Sequence, residues 1–443
     1  MKFDSSSILE KLVSFDTRTG DPNNKPTSEC PEYINEALED CGFHTELLEA
    51  EGYWTAFGRH GHGGFKILYL AHFDVVPTAD GWDGDPFKLR IKGDRAYGRG
   101  SCDDKGNITS MLMMAKQISS VDLPCTMMIA ATGDEEIGGR NGAGHLRDFL
   151  KRQGLFPDYI VIADGIGQQI IHRRRNGLPT QFKVKQKAAS VKGRKETIRF
   201  DTETFATDTR HSAYLRPGVD RHAMLAASRY MDMNLESVVA DVRGPFLKRN
   251  VVPDWVEVDF IHPDDSGEEL IYDSALTDLM KSLLPIAYTS FPTRPSDKGT
   301  VIWPNVLSRQ DDLWTLLCDI RAMTNDAEAV HQSFEKSLEG RLDLFSMKVI
   351  PGPGFVDVDP DSRLIRAAKW ALEKLGVFYQ INEGFGASDS RYFAGQGAEL
   401  FDFGPIGGNV HGTNEWVSLS SIEENAELYF MIAELLIRDS YPF

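Results

Sequence analysis

The chain has 443 residues, 41% hydrophobic and 26% charged, which is an ordinary globular balance and long enough for two domains rather than one. A formal net charge of -18 argues against a nucleic-acid partner, because phosphate binding needs a basic surface. Five widely spaced cysteines with no CxxC pair argue against a disulfide framework or a thiolate zinc site and point to a reducing compartment, here the cytoplasm.

The N-terminus, MKFDSSSILEKLVSFD, has an early Asp and no long apolar run, so no signal peptide is expected. No apolar stretch is long enough for a transmembrane helix, and no membrane partner is expected. Residues 6–14 read as a short helix. Residues 31–41 read as another, with Pro31 in its first turn and Gly42 just past its end. Strands and helices then alternate. FKILYLA (65–71) reads as a buried strand, 107–119 as a helix, 126–132 as a second apolar strand and 159–163 as a third. Such alternation predicts crossover units on a largely parallel sheet.

Residues 177–350 read differently, with charge runs such as KVKQKAASVKGRK and a strand-turn-strand over 296–321. They are read as an inserted α+β domain. After Gly352 the first pattern resumes: a helix over 361–375, a short strand over 400–403, and a helix over 421–438 opened by a capping box of Ser421 and Glu424. The expected fold is therefore α/β. A split domain, 1–176 with 351–443, carries a mixed, largely parallel sheet with helices on both faces, and 177–350 is inserted into it.

Ligand-type residues fall at the strand ends. His72 and Asp74 follow the first strand, Glu135 and Glu136 the second, Asp164 the third, and His411 the short strand at 400–403. In open α/β sheets, sites form beyond the carboxyl ends of strands. Asp103 and Asp104 precede the helix at 107, where carboxylates are also comfortable for purely electrostatic reasons. Two histidines and several carboxylates suit Zn²⁺, and also Mn²⁺ or Co²⁺. Two such ions need a shared carboxylate, and an unligated carboxylate must take the proton of the attacking water. Adjacent glutamates can divide that work, one ligating and one facing the water. Asp74 can hold His72 by its second ring nitrogen. Singly, each of these segments is an ordinary turn or loop; their order and placement give them force.

Taken together, AHFDVVP (71–77), YGRGSCDDKG (97–106), TGDEEIGG (132–139), IADG (162–165) and PIGGNVHGTNE (405–415) resemble the M20 family of metallopeptidases. That family includes aminoacylases, acetylornithine deacetylase, succinyl-diaminopimelate desuccinylase, glutamate-releasing carboxypeptidases and carnosinase-like dipeptidases. The resemblance implies two divalent metal ions. His72 and Asp164 would hold one, Glu136 and His411 the other, and Asp103 would bridge them. It makes Glu135 the general base toward a metal-bridging water, Asp74 the residue that orients His72, and Asp104 non-ligating.

It also makes the insertion a lid and dimerisation domain, so that a homodimer is expected. RHSAYLRPGVDRHA (210–223) resembles the lid segment whose histidine, here His211, reaches a partner's active site and stabilises the oxyanion. WPNVLSRQDDLWTLLCDIR (303–321) would give Asn305 and Arg321 roles near substrate, although RNVVPDWVEVDF (249–260) is a competing match without the terminal Arg. GASDSRYF (386–393) resembles a substrate-side loop, and Arg391 there could pair with a substrate carboxylate. The implied activity is cleavage of an amide bond near a free carboxylate in small peptides or N-acyl amino acids. A dipeptidase or carboxypeptidase is the alternative to an N-deacylase. A non-catalytic binding protein on the same fold is a remote reading, because every ligand position and the base are present.

Overall fold

Positions 67–71 and 127–131 are apolar throughout and buried throughout. A strand with no polar face must be covered on both sides, and these two lie at the centre of a nine-stranded sheet. The computed structural model describes residues 3–20, 27–121, 124–205 and 210–437. The strands up to the first crossover into the insertion are β1 (His44–Ala50), β2 (Tyr53–His60), β3 (Lys66–His72), β4 (Arg90–Lys92), β5 (Arg95–Tyr97), β6 (Thr126–Thr132), β7 (Tyr159–Ile162) and β8 (Gln169–Arg174). The sheet runs β1, β2, β6, β3, β7, Glu399–Asp402, β8 and Val356–Asp357, with Gln380–Gly384 also paired to β8. Its middle is parallel: β6 with β3, β3 with β7, and β7 with Glu399–Asp402. The chain is α/β, as the alternation of elements predicted.

The two-residue period of a strand divides the core. Ile67, Tyr69, Ala71, Met127, Ile129 and Ala131 pack on one face against helices α1 (Ser5–Ser14), α2 (Glu29–Glu39) and α3 (Lys105–Ile118) and the helices Arg363–Leu375 and Leu419–Ile437. Leu68, Leu70, Met128, Ala130, Ile160 and Ile162 point to the other face, against α4 (Ala143–Arg152).

One element was not foreseen and one local expectation needs correction. β1 and β2 form an antiparallel hairpin that the sequence did not announce. Its turn residues Glu51 and Gly52 both take positive φ, 52° and 78°, the geometry of the tight turns that match strand twist. The last helix begins at Leu419, not Ser421. Ser418 rather than Ser421 caps it, since Ser418 Oγ accepts from the main-chain N–H of Ser421 at 3.2 Å. Glu424 instead accepts from Gln168 Nε2 at 2.7 Å. Arg438, the end of the expected helix, lies outside the described residues.

The chain divides into two units: residues up to Arg174, Val356–Gly384 and those from Ser388 on; and Arg175–Phe355 with Phe385–Ala387. The second unit has its own core and two antiparallel sheets. One contains Val301–Gln310, Leu313–Ala322, Thr180–Lys185 and Ser346–Val349; the other contains Val238–Arg243, Trp255–Pro263, Ala188–Asp201 and Glu268–Asp273. Helices Ala223–Met233, Ser274–Ala287 and Ala327–Leu338 contribute to the same core. All five cysteines are buried and unpaired. Among the described residues, no helix is long and apolar enough to cross a membrane.

Candidate metal centre

Three neighbouring parallel strands deliver side chains at their carboxyl ends. His72 is the last residue of β3, and Asp74 follows two residues on. Glu135 and Glu136 open a short 3₁₀ turn just after β6. Asp164 comes two residues after β7. Asp103 lies in the loop between β5 and α3. His411 does not leave the strand at 399–402, contrary to expectation. It sits in a later loop between Gly407–Gly408 and Trp416–Ser418, which belong to a separate four-stranded sheet with β4 and β5.

The structure gathers these side chains closely. His72 Nε2 lies 3.0 Å from Asp103 Oδ1. His411 Nε2 lies 2.9 Å from the other oxygen, Asp103 Oδ2, and 3.1 Å from Glu136 Oε1. Two groupings of potential ligand atoms each fall within 4.8 Å: His72, Asp103 and Glu136; and His72, Asp104 and Asp164. Asp104 is an addition that the motif reading set aside. Its two oxygens accept from the His72 main-chain N–H at 3.1 Å and from Asn107 Nδ2 at 2.7 Å.

The electrostatics show what this cluster lacks. Burial pushes Asp104 and Asp164 well above the usual carboxylate range, and burial with the nearby Asp103 charge pushes Glu136 up to about 8. Burial would raise Asp103 too, but its bonds to His411 and His72 hold it far below that range. Burial opposes charge on His411, yet its bonds to Asp103 and Glu136 raise it to about 11. Buried carboxylates this crowded share too little positive charge, and protonation is one way to supply it. A divalent cation is the other, and it suits a donor set made only of imidazole nitrogen and carboxylate oxygen. The residues present therefore fit a metal centre.

Asp74 contacts both His72 and the glutamate turn. His72 Nδ1 lies 3.0 Å from the Asp74 carbonyl oxygen and 3.4 Å from its carboxylate. The carboxylate accepts from the main-chain N–H groups of Glu135 and Glu136 at 3.0 and 3.1 Å and from the Thr19 hydroxyl at 3.1 Å. One buried aspartate thus fixes the glutamate turn as well as facing the histidine.

Glu135 belongs to neither ligand grouping. Its Oε1 faces Arg391 Nη2 at 3.6 Å. Burial raises its pKa, and the Arg391 charge works against that rise. Arg391 Nε and Nη2 are buried with no hydrogen-bond partner among the described residues.

The other three residues singled out in the sequence, His211, Asn305 and Arg321, belong to the second unit. His211 Nδ1 accepts from the Ala213 N–H, and its Nε2 lies 3.2 Å from Asn250 Nδ2. Asn305 is fully buried, with Oδ1 at 2.9 Å from His222 Nε2 and Nδ2 donating to the Arg249 carbonyl. Arg321 Nε donates to Asp319 at 3.0 Å. Two residues inside the recognised motifs received no role from the sequence, Arg99 and Glu415. They form a buried ion pair at 2.6 Å. Only their position in YGRG and TNE could have flagged them.

Residues 68–435 match the model of peptidase family M20/M25/M40. A succinyl-diaminopimelate desuccinylase of Legionella pneumophila (strain Paris) is 24% identical over 446 residues, covering 98% of this chain and 100% of that protein. Among solved structures, the aminoacylhistidine dipeptidase of Vibrio alginolyticus has a TM-score of 0.71 at 14% identity, covering 97% of this chain and 96% of that one. The YXEP protein of Bacillus subtilis, described as a dinuclear metal-binding peptidase from the M20 family, has a TM-score of 0.53 at 14% identity, covering 98% and 97%.

Proposed function

This chain belongs to peptidase family M20/M25/M40, and from that membership we propose a two-metal amidohydrolase that cleaves an amide bond beside a free carboxylate, in a small peptide or an N-acyl amino acid. His72 and Asp164 would hold one ion and Glu136 and His411 the other, with Asp103 shared between the two sites. One observation carries the reading: the two oxygens of Asp103 face two different histidines, at 3.0 and 2.9 Å. A shared carboxylate of this kind is what two ions about 3.5–4 Å apart require. Asp104 takes no ion in this proposal; its two oxygens hold the His72 N–H and Asn107 Nδ2.

Bound there, divalent ions, Zn²⁺ with Mn²⁺ or Co²⁺ as substitutes, would supply polarisation of the scissile carbonyl and a more acidic water. Glu135 takes the proton of the attacking water and returns it to the leaving amine. Asp74 keeps Glu135 and Glu136 in place through their main-chain N–H groups. The guanidinium of Arg391, whose Nε and Nη2 make no hydrogen bond among the described residues and whose Nη2 faces Glu135, matches a substrate carboxylate in shape and charge. In this proposal the protein is a cytoplasmic homodimer assembled through the insertion at 177–350. His211 serves the active site of a second copy by stabilising the oxyanion, and Asn305 and Arg321 support substrate binding.

Amine release by the Zn²⁺-loaded protein on a panel of N-acyl amino acids and dipeptides tests the proposal, with Glu135→Ala as control. Turnover that disappears in the control is the expected result, and the best substrate separates deacylase from dipeptidase or carboxypeptidase. A Glu135→Ala protein as active as the parent would overturn the assigned base.

A further inference from the structure

Glu415 is fully buried, and Arg99 is nearly so. The Glu415 carboxylate accepts four hydrogen bonds. Oε1 takes the main-chain N–H groups of Cys102 and Asp103 at 2.9 and 3.0 Å. Oε2 takes Arg99 Nη1 at 2.6 Å and the Gly100 N–H at 3.1 Å. Four such bonds use the full acceptor capacity of a carboxylate. All four donors belong to the loop that carries Asp103, three of them main-chain N–H groups, and one is the Asp103 N–H itself.

Arg99 extends the same network. Its Nη2 donates to the His411 carbonyl at 3.2 Å and reaches the Pro77 carbonyl at 3.5 Å. Gly98 N–H closes the circuit on the Glu415 carbonyl at 3.0 Å. Arg99 and Glu415 therefore tie together the stretch after His72, the Asp103 loop and the His411 loop. His411 and Asn414, between those anchors, take left-handed φ of 62° and 53°. Non-glycine residues hold that conformation when their surroundings enforce it.

We infer that Arg99 and Glu415 form a buried brace that sets the position of the shared carboxylate Asp103 and of His411, which makes both of them positioning residues for the two-metal centre. The inference rests on the two-metal reading above. Ligand atoms must be held to within about 0.5 Å to be effective. Asp103 is held at its own N–H by Glu415, and His411 at its own carbonyl by Arg99. Because Asp103 faces the ligands of both ions, a shift in its loop weakens both. A shift confined to the Arg99–His411 contact weakens one more than the other.

Glu415→Gln and Arg99→Lys test this in the full chain. Metal is removed by chelator dialysis, then Zn²⁺ affinity is measured by competition with a chromophoric chelator, and the visible absorption of the Co²⁺-loaded protein is recorded. In Glu415→Gln the amide NH2 replaces an oxygen that accepted two bonds, so two contacts set donor against donor whichever way it points. Its affinity for both ions is expected to fall about 10–100-fold with an altered Co²⁺ band, while far-UV circular dichroism stays native. Arg99→Lys keeps a charge beside Glu415 but loses the fork, and one ion is expected to weaken more than the other. A purely structural pair would lower thermal stability yet leave affinity and the Co²⁺ band unchanged in folded variants, and that result overturns the inference. If Glu415→Gln does not fold, the double variant with Arg99→Met removes the lone buried charge and is judged by the same two readings. A parent protein that binds fewer than two ions would overturn the two-metal reading instead.

Discussion

The guanidinium of Arg391 lies 3.6 Å from the carboxylate of Glu135, and both groups are largely shielded from solvent. Burial pushes the Glu135 pKa up, and the Arg391 charge holds it down. A general base works only when ionised, so activity falls as pH drops through its pKa. Removing the positive charge leaves Glu135 protonated to higher pH. Arg391→Met is expected to move the acid limb of the kcat/KM profile upward by about 1–3 pH units. Arg391→Lys keeps the charge and should leave the acid limb near its parental position while binding carboxylate substrates less well, because an ammonium lacks the planar fork. A pH–rate profile on the best panel substrate checks this, and an unmoved acid limb for Arg391→Met would sink it.

Removing the ions should cost stability as well as activity. The cluster of Asp103, Asp104, Glu136 and Asp164 around His72 and His411 concentrates buried carboxylates. An ion that binds only the folded chain adds about 2.7 kcal/mol at a concentration 100 times its Kd. Dialysis against a chelator is expected to abolish turnover and to lower the melting temperature, with both returning on addition of Zn²⁺. A melting temperature indifferent to metal would count against the centre described here.

The sheet centre was legible because continuous apolar runs at 67–71 and 127–131 admit few other readings. That His72, Glu136 and Asp164 come together was legible because parallel strands put their carboxyl ends side by side. The β1–β2 hairpin was not, since neither strand alternates cleanly between apolar and polar residues and its turn is Glu51-Gly52 rather than the familiar Asn-Gly. His411 was found by its motif and misplaced by topology, because a two-residue strand leaves no hydrophobic signal. Arg99 and Glu415 meet across the length of the chain, and a contact of that kind has no period to read. Asn305 carried a motif but no hint that both ends of its amide are committed within its own unit.

Gly165 reads in the sequence as an ordinary residue after a turn aspartate, yet its need for glycine is one of space. A Cβ there would lie 2.7 Å from the Phe403 carbonyl carbon and 2.9 Å from the Gly404 nitrogen. Both are backbone atoms of the segment that follows the neighbouring parallel strand, so neither can rotate away. Gly165→Ala is expected to destabilise the protein by about 1–3 kcal/mol. It should also weaken metal binding, because the displaced residue adjoins Asp164. Urea denaturation with and without Zn²⁺ separates the two effects. An alanine variant with parental stability and affinity would show that the backbone yields there.

His222 gives the second unit a pH dependence of its own. It is buried against Trp303, with ring centroids 5.6 Å apart and planes 8° from parallel. Burial lowers its pKa to about 4, partly offset by the hydrogen bond to Asn305. Nδ1 accepts from the Met224 N–H at 3.2 Å, so the neutral ring donates from Nε2. The unfolded chain binds a proton on this histidine near pH 6.5, whereas the folded unit does so only near pH 4. Between those values the unfolded state carries more protons, so stability rises with pH. Full stability is present above about pH 6.5 and is lost as the pH falls toward 4, by about 3 kcal/mol from this group. Urea denaturation followed by tryptophan fluorescence at pH 7 and pH 4.5 should show a drop in midpoint. His222→Gln, which has nothing to titrate, should show a smaller one. Equal drops in the two proteins would place the acid sensitivity elsewhere.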